Sequence, residues 1–483
     1  MNISIKRNSK ISVYIQIKNQ IRDMIYSKML PKAYVLPSER ELAKALGINR
    51  STVVKAYQEL KADGLIASKI GRGTYVVFCD DEEDDPKKYL AWDEIYSESS
   101  KNNYDDVISK IMNINDDGKT ISFAGGIPSP SLFPKHEFEK IQIELLKNEA
   151  KNIFLHSPVT GDKELKKEIK KLMINREVRV LTENIMVTSG SQQGLDLIVR
   201  TFVNPDDVIL VEESTFFGAL QLFQMLNAKV IGVPLDENGI RLDVLEYLIK
   251  KFTPKFIYTI PNFQNPTGIT MSLKRRYEFM KVIEKYGIPV IEDDPYGEIR
   301  YEGEELPPLK ALDKNNYVIY LSTFSKTISL GLRVGWVAAP DRVINKLSLF
   351  KQLTDLHVNT LSQHMVCEFL RQGYYEKHIK KIRKEYKLKR DLMIRELNNN
   401  FENIQLYKPQ GGFYLWCKFL DNINLNLLLK SAIKNGVNYT PGNFFYSKGE
   451  GKSNFIRLNF TYPQNEEITL GIKRLRDSLK EMF

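Results

Sequence analysis

Apolar positions along the chain follow two different periods, and the change between them divides it. Over residues 10–78 the spacing is helical. Tyr14, Ile17, Ile21 and Met24 recur at three- and four-residue intervals and predict a first helix. Ser38, followed three residues later by Glu41, forms a capping box in which each satisfies an amide of the other's turn. It predicts a second helix carrying Leu42, Ala45 and Leu46. Gly47-Ile48-Asn49 turns the chain. Val53, Ala56, Tyr57 and Leu60 then stand at i, i+3, i+4 and i+7 of a third helix that Gly64 closes. Leu65–Ala67 and Thr74–Phe78 predict two short strands around a Gly71-Arg72-Gly73 tip.

Beyond this head the pattern changes twice. Residues 80–85 are six consecutive acids, followed by Pro86 and a polar stretch that runs to about residue 119. Like charges in such a block resist compaction, so 80–119 is expected to be a tether, with one helical piece at Tyr104–Met112. From about residue 120 short apolar runs alternate with helix-length segments. The runs are Ile185–Thr188, Val208–Val211, Lys229–Val233, Phe256–Ile260, Pro289–Glu292, Val318–Leu321 and Val334–Ala338. This alternation predicts an α/β body with a mainly parallel sheet and helices on both faces. A charged helix over Tyr374–Asn400 leads into a smaller α+β tail. The expected division is therefore a head at 1–79, a linker at 80–119 and a body at 120–483, its large part about 150–370 and its small part about 371–483.

Charge sharpens the division. Residues 1–79 hold nine lysines and five arginines against five acids, a net +9, while the whole chain is +10. The basicity belongs to the head, and it predicts a polyanionic partner for that segment alone. Cys79, Cys367 and Cys417 are too few and too far apart for a disulfide framework or a zinc site. The five histidines are scattered; His357 and His364 are placed to share a helix face, but without companion ligands no metal is expected. No apolar run reaches the roughly 18 residues needed to span a bilayer, so the expected compartment is the cytoplasm and no membrane partner is foreseen.

Burying Val53, Ala56, Tyr57 and Leu60 turns Ser51, Val54, Lys55 and Gln58 outward, with Arg50 at the helix start. A second helix presenting such a face is what a helix-turn-helix lays in the major groove of duplex DNA. Arg50 could fork to a guanine edge or a phosphate, and Arg72 at the hairpin tip could clamp phosphate or enter the minor groove. The bland alternative is a small basic domain that docks on protein. LPSERELA (36–43), INRSTV (48–53), AYQELKADGLI (56–66) and GRGTYV (71–76) occur in order and resemble the GntR-type winged helix-turn-helix. The resemblance implies DNA contacts by Arg40, Arg50, Ser51, Thr52 and the wing residue Gly73; Val54 stands where some relatives have Arg.

The body carries motifs that are each weak alone but fit together as a site for pyridoxal 5'-phosphate (PLP). This cofactor needs an anion cradle, a carboxylate for its ring nitrogen, donors to its phenolate oxygen, a lysine to condense with its aldehyde and an anchor for the ligand's carboxylate. SGSQQG (189–194) ends a strand and opens a helix, so amides around Gly190, Ser191 and Gln192 face an anion. In EDDPYG (292–297) Asp293 is placed for the ring nitrogen and Tyr296 for the phenolate oxygen, with Asn265 of NPTG (265–268) as a second contact. STFSKTISLGLRVGW (322–336) supplies Lys326 as the reactive amine, flanked by Thr323 and Ser325, with Arg333 as a phosphate ligand. Arg457 in FIRLNF (455–460) would grip a carboxylate.

Together these resemble the class I/II aminotransferases of PLP fold type I, over residues 121–483. SFAGGIPSPSLFP (122–134) and PQGGFYLW (409–416) add matches, and Gly125-Gly126 would lie beside the ligand carboxylate. Joined to a GntR-type head, the chain is similar to MocR/GabR regulators. That architecture implies a homodimer with shared cofactor sites and swapped heads, controlled by PLP or by an amine or amino-acid ligand. One departure is visible: LHSPVTGDKELK places His156 where relatives have a Tyr that reaches the partner's cofactor phosphate. Two functions are therefore open, a ligand-responsive transcriptional regulator or a metabolic aminotransferase carrying an accessory DNA-binding head. The transamination set is complete in sequence, which leaves turnover itself undecided.

Overall fold

The computed structural model describes residues 3–5, 11–69, 73–77, 95, 120–447 and 454–482. Arg72 and Gly71 of the wing tip, Cys79, the acidic run and the Tyr104–Met112 piece lie outside the described residues. The chain divides into two compact units, Met1–Tyr96 and Ser97–Phe483.

The first unit contains α1 (Val13–Tyr26), α2 (Glu39–Leu46) and α3 (Arg50–Ala62), followed by β1 (Ile66–Lys69) and β2 (Gly73–Val76), which pair antiparallel. Its core is the stripe the spacing foresees: Ile17, Ile21 and Met24 of α1 meet Leu42 of α2 and Val53, Ala56, Tyr57 and Leu60 of α3. Ala45, expected inside, is exposed; Ala43 is buried instead, because the inward face of α2 carries Leu42, Ala43 and half-buried Leu46, and two residues of helix turn Ala45 roughly 200° away from Ala43. Ser38 and Glu41 close the capping box at α2, and Gly47 ends that helix in the left-handed region (φ 61°). The Tyr57 hydroxyl donates to Pro37 O at 2.8 Å and fixes α3 against the turn before α2.

The second unit is built on one seven-stranded sheet formed by all seven of the apolar runs. In chain order these are β3 (Ile185–Thr188), β4 (Val208–Glu212), β5 (Lys229–Val233), β6 (Phe256–Thr259), β7 (Val290–Asp293), β8 (Val318–Thr323) and β9 (Gly335–Ala338). The order across the sheet is β3-β9-β8-β7-β6-β4-β5, and only β9 runs against its neighbours. Its connection from β8 is too short for a helical crossover, so the chain returns antiparallel. Separate apolar clusters cover the faces of the sheet, with Met186, Val211, Ile291 and Leu321 in one and Leu210, Ile257, Val290 and Val318 in another. Such a doubly covered sheet leaves its polar opening at the strand ends.

A long helix, Tyr374–Asn400, leads to a four-stranded antiparallel sheet with order β10-β11-β13-β12: β10 (Ile404–Leu406), β11 (Tyr414–Phe419), β12 (Thr440–Pro441) and β13 (Phe455–Asn459). The segment just after residue 120 belongs to this tail: Ile121–Ser122 pairs in parallel with Val437–Asn438. Cys367 and Cys417 are buried free thiols. His357 precedes the helix Thr360–Arg371 that holds His364, so the two do not share a helix face. Among the described residues no helix is long and apolar enough to cross a membrane, and no cluster of three metal-ligating side chains occurs.

Candidate cofactor cavity and nucleic-acid interface

Sheet register assembles the body site. Thr323 at the end of β8 pairs with Gly335 at the start of β9, and Gly335 pairs with Thr188 at the end of β3. The antiparallel β9 thus brings three separate loops to one level: Gly190-Ser191 after β3, Ser325-Lys326 after β8 and Arg333 before β9. Asp293 ends β7, whose neighbour β8 pairs Leu321 with it. Of these, Ser191, Ser325, Lys326, Arg333 and Asp293 line one cavity of about 310 Å³ at the carboxyl ends of the parallel strands.

Each part has a defined setting. The Arg333 guanidinium donates to Ser189 O at 2.9 Å and to Ser325 Oγ at 3.4 Å, beside the amino terminus of the helix Ser191–Phe202. Gly190 has φ 79°, and a Cβ there would stand 2.5 Å from Arg333 Nη2. A side chain at 190 would therefore expel the guanidinium from the cradle. Asp293 Oδ2 accepts from the Tyr258 hydroxyl at 2.7 Å, while Oδ1 is buried without a partner. Burial pushes this carboxyl up to about 6. Lys326 Nζ donates to Gly126 O at 2.6 Å, and burial lowers its basicity.

The carboxylate end comes from the smaller sheet. Strand alternation puts Tyr414, Trp416 and Arg457 on one face, Trp416 directly opposite Arg457 and Tyr414 diagonal to it. Arg457 Nη1 donates to Asn265 Oδ1 at 2.9 Å, and Nη2 to Ala124 O at 2.5 Å. Its Nε is buried without a partner. Gln264, next to Asn265 in the chain, ties this loop to the sheet: its amide donates to Glu212 Oε2 at 2.9 Å and to Ser214 O at 2.6 Å.

Of the body residues marked in the sequence, Ser191, Gln192, Asn265, Asp293, Tyr296, Ser325, Lys326, Arg333, Gly126 and Arg457 line this cavity. Gly190 and Thr323 do not; Gly190 stands beside the Arg333 guanidinium, and the Thr323 hydroxyl contacts Ser325 Oγ at 3.0 Å. His156 is exposed, its ring 4.4 Å from that of His357, and takes no part in the cavity of its own chain. Sequence reasoning passed over Tyr258, Phe216, Phe217 and Tyr414. Tyr414 lay inside PQGGFYLW, where no chemistry was assigned. Its hydroxyl accepts from Tyr296 at 3.2 Å, and its ring lies 4.1 Å from the Arg457 guanidinium. Burial opposes its ionisation, yet Arg457 and Lys326 together hold the phenol below its ordinary value. Arg176 was also missed: it is paired with Asp294 at 2.6 Å, next in chain to Asp293, and so anchors the end of β7.

These residues fit PLP on two independent observations. The partnerless Asp293 Oδ1 offers an acceptor for a protonated ring nitrogen, and the Gly190–Arg333 cradle offers an anion site at a helix start.

In the head, Arg50, Ser51, Val54, Lys55 and Gln58 line a single open groove along α3. Asn49 caps α3 by accepting from Ser51 N at 3.3 Å. Arg50 Nη2 lies 3.9 Å from Glu39 Oε2, and Lys55 Nζ lies 4.1 Å from the ring centroid of Tyr14, so both cations are held at the surface by weak, exchangeable contacts. Arg40 is exposed on α2, Thr52 is half-buried, and Gly73 opens β2 with φ 81°; these three do not line the groove.

A small winged helical head and an α/β body with this site define a two-part protein of regulatory head and aminotransferase-like body. Residues 13–76 match the gntR family of bacterial regulatory proteins, and residues 132–475 match the aminotransferase class I and II family. The chain belongs to the class I and II aminotransferase family and carries a gntR-type head, the MocR-type combination. Over nearly its full length it is similar to YisV of Bacillus subtilis, described as an uncharacterized HTH-type transcriptional regulator: 32% identity over 479 residues, 99% of this chain and 98% of that one. Its body is similar to aromatic-amino-acid aminotransferase 1 of Thermococcus litoralis, 38% identical over 399 residues that cover 81% of this chain and 95% of the relative. Among solved structures it resembles LysN, the α-aminoadipate aminotransferase of Thermus thermophilus complexed with N-(5'-phosphopyridoxyl)-L-leucine. That likeness has 31% identity and a TM-score of 0.76, over 81% of this chain and 99% of that chain.

Proposed function

We propose that the chain is a PLP-dependent transcriptional regulator whose head grips duplex DNA and whose body senses an amine or amino-acid ligand, or PLP itself. One observation carries this: a groove lined by Arg50, Lys55 and Gln58 on a gntR-type helix stands in the same chain as a cavity holding Lys326, Asp293 and Arg457. An enzyme needs only the second.

The proposed division is a head at 1–79, a linker at 80–119 and a body at 120–483. Arg40, Arg50, Ser51, Thr52, Lys55, Arg72 and Gly73 serve DNA. Gly190, Ser191, Gln192, Ser325 and Arg333 hold the cofactor's phosphate, with Thr323 behind Ser325. Asp293 faces the ring nitrogen, and Tyr296 and Asn265 the phenolate oxygen. Arg457 and Gly126 receive the ligand's carboxylate. The aminotransferase fold favours a homodimer; swapped heads, and His156 reaching the partner's phosphate, belong to the same proposal.

When bound, PLP supplies an aldehyde that condenses with amines and a ring that withdraws electrons. The chain supplies proton control. Burial favours the neutral amine of Lys326, ready to condense and afterwards to accept or return a proton at Nζ. The Asp293 carboxylate, oriented by Tyr258, would stabilise a proton on the ring nitrogen of bound PLP. Arg457, oriented by Asn265, fixes the ligand so that its amine faces Lys326. A ligand that binds one arrangement of the body better than another shifts the population of the two and with it the affinity for DNA.

The completeness of the cavity favours the second reading, a metabolic aminotransferase whose head only localises it. Titration of labelled upstream DNA with and without PLP and amino acids separates the two. Specific binding that responds to either ligand is expected; rapid multiple turnover without specific DNA binding would make the chain an enzyme.

A further inference from the structure

We infer that His378 is a positioning residue for Lys326: from the long helix Tyr374–Asn400 it holds the main chain beside the reactive amine and so sets the direction in which that side chain leaves the backbone. This rests on the placement of the reactive amine at Lys326.

Lys326 stands in a turn, where no repeating ladder of helix or strand fixes its direction. Two short-range bonds shape the turn: Ser325 N donates to Thr323 Oγ1 at 3.1 Å and Ile328 N to Phe324 O at 2.8 Å. The carbonyl of Thr327, next in chain to Lys326, takes neither. It meets His378 Nε2 at 2.8 Å, with both residues buried. A carbonyl only accepts, so Nε2 carries the hydrogen. Burial lowers the pKa of this imidazole and favours the neutral ring, which donates from Nε2 without bringing a charge beside the lysine. Three residues earlier on the same helix face, Tyr375 sets its ring edge-on to Phe324, with centroids 5.9 Å apart. The turn is thus gripped on both sides of Lys326, by a ring contact at 324 and by a hydrogen bond at 327.

The contact belongs to a pattern along one helix. Arg383 donates to Glu298 O at 2.6 Å, Lys389 to Thr461 O at 3.1 Å and Arg390 to Pro409 O at 2.7 Å, while the Tyr386 hydroxyl accepts from Ser129 N at 3.1 Å. Each of these main-chain groups lies a few residues from one that lines the cavity, respectively Tyr296, Arg457, Tyr414 and Gly126. Polar side chains of this helix therefore hold cavity loops by their main chain, and His378 is the one that reaches the Lys326 turn. Without its donor the buried Thr327 carbonyl must find another partner, and the neighbouring Lys326 moves with it. A reacting atom displaced by about 1 Å slows its reaction by roughly ten- to a hundredfold, while groups held elsewhere keep their affinity.

The test uses the full-length apo-protein and compares two amides of different reach. His378→Gln carries its amide nitrogen out to the place of Nε2; His378→Asn falls short of Thr327 O. Stopped-flow absorbance follows covalent capture of PLP, and calorimetry measures 4-deoxypyridoxine 5'-phosphate, which has a methyl group in place of the aldehyde and cannot condense. Capture should slow by about tenfold or more in His378→Asn and return to within about twofold of wild type in His378→Gln, with the affinity for the analogue unchanged in both. Visible circular dichroism of the bound cofactor should weaken in the first variant and recover in the second. His378→Met, which fills the space without a donor, replaces the Asn variant if that one folds poorly. Equal capture rates in the short and long amides, or a loss of analogue affinity as large as the loss of rate, would overturn the positioning role and leave His378 to packing. An adduct that survives Lys326→Ala would instead move the reactive amine away from 326, and the role of His378 would fall with it.

Discussion

The Tyr258 hydroxyl donates to one oxygen of Asp293 at 2.7 Å and leaves the other buried and unpartnered. Without cofactor this carboxylate is a buried charge with one hydrogen bond. Burial raises its pKa to about 6, so the folded apo-protein holds a proton that the unfolded chain has already released. The stabilising contribution is present at low pH and is lost as pH rises through about 6. Apo Asp293→Asn should therefore melt a few degrees above apo wild type at pH 7.5, with the gap narrowing below pH 6 and closing near pH 4. Scanning calorimetry of both apo-proteins at the two pH values decides it; a gap independent of pH would remove Asp293 as its cause.

Gly190 and Arg333 make a second prediction. Gly190→Ala puts a methyl group 2.5 Å from Nη2 at a backbone φ of 79°. The guanidinium must move, and affinity for PLP should fall by more than about tenfold, the worth of a charge-assisted hydrogen bond. Pyridoxal, which lacks the phosphate, should bind as it does to wild type. Equilibrium dialysis of the two compounds checks this, and equal losses for both would mean general damage to the fold.

Lys326→Ala should abolish covalent capture of PLP while leaving binding to non-specific DNA nearly unchanged. Borohydride reduction followed by peptide mass analysis should find the added mass on the peptide containing residue 326 in wild type and nowhere in the variant. A reduced adduct at the same stoichiometry in the variant would reassign the reactive amine.

Tyr414, when ionised, sets a negative charge beside Lys326 and raises the basicity of that amine against the lowering effect of burial. Tyr414→Phe should therefore lower the Lys326 pKa further and shift the pH profile of covalent capture to lower pH. Stopped-flow absorbance against pH reads the midpoint. A midpoint that stays put assigns Tyr414 to packing alone.

Arg50→Ala should weaken binding to the specific operator by about 1–3 kcal/mol if the guanidinium forks to a base edge. Affinity for unrelated DNA should change much less. A uniform loss across sequences, with a shallower salt dependence, would make Arg50 a phosphate contact instead.

The sequence alone determined every element whose signal is local. The seven strands are continuous apolar runs, the head helices are apolar stripes closed by Ser38, Glu41 and Gly47, and side-chain period is a property of neighbouring residues. It also marked Lys326, Asp293, Arg333 and Arg457, which the fold brings to one cavity, because each lies in a short segment whose residue types suit one task. Ala45 shows where this stops: a helical period names a face but not its centre, which the packing of α2 on α3 decides. Only the tertiary structure decided the sheet order, the reversal of β9 that gathers Gly190, Lys326 and Arg333, and the partners Tyr258, Tyr414, Phe216 and Phe217. Such relations join residues up to 333 positions apart, as Arg457 does with Ala124. No local period encodes such a meeting; it follows from burying both faces of one sheet at once and leaving the polar groups at its open end.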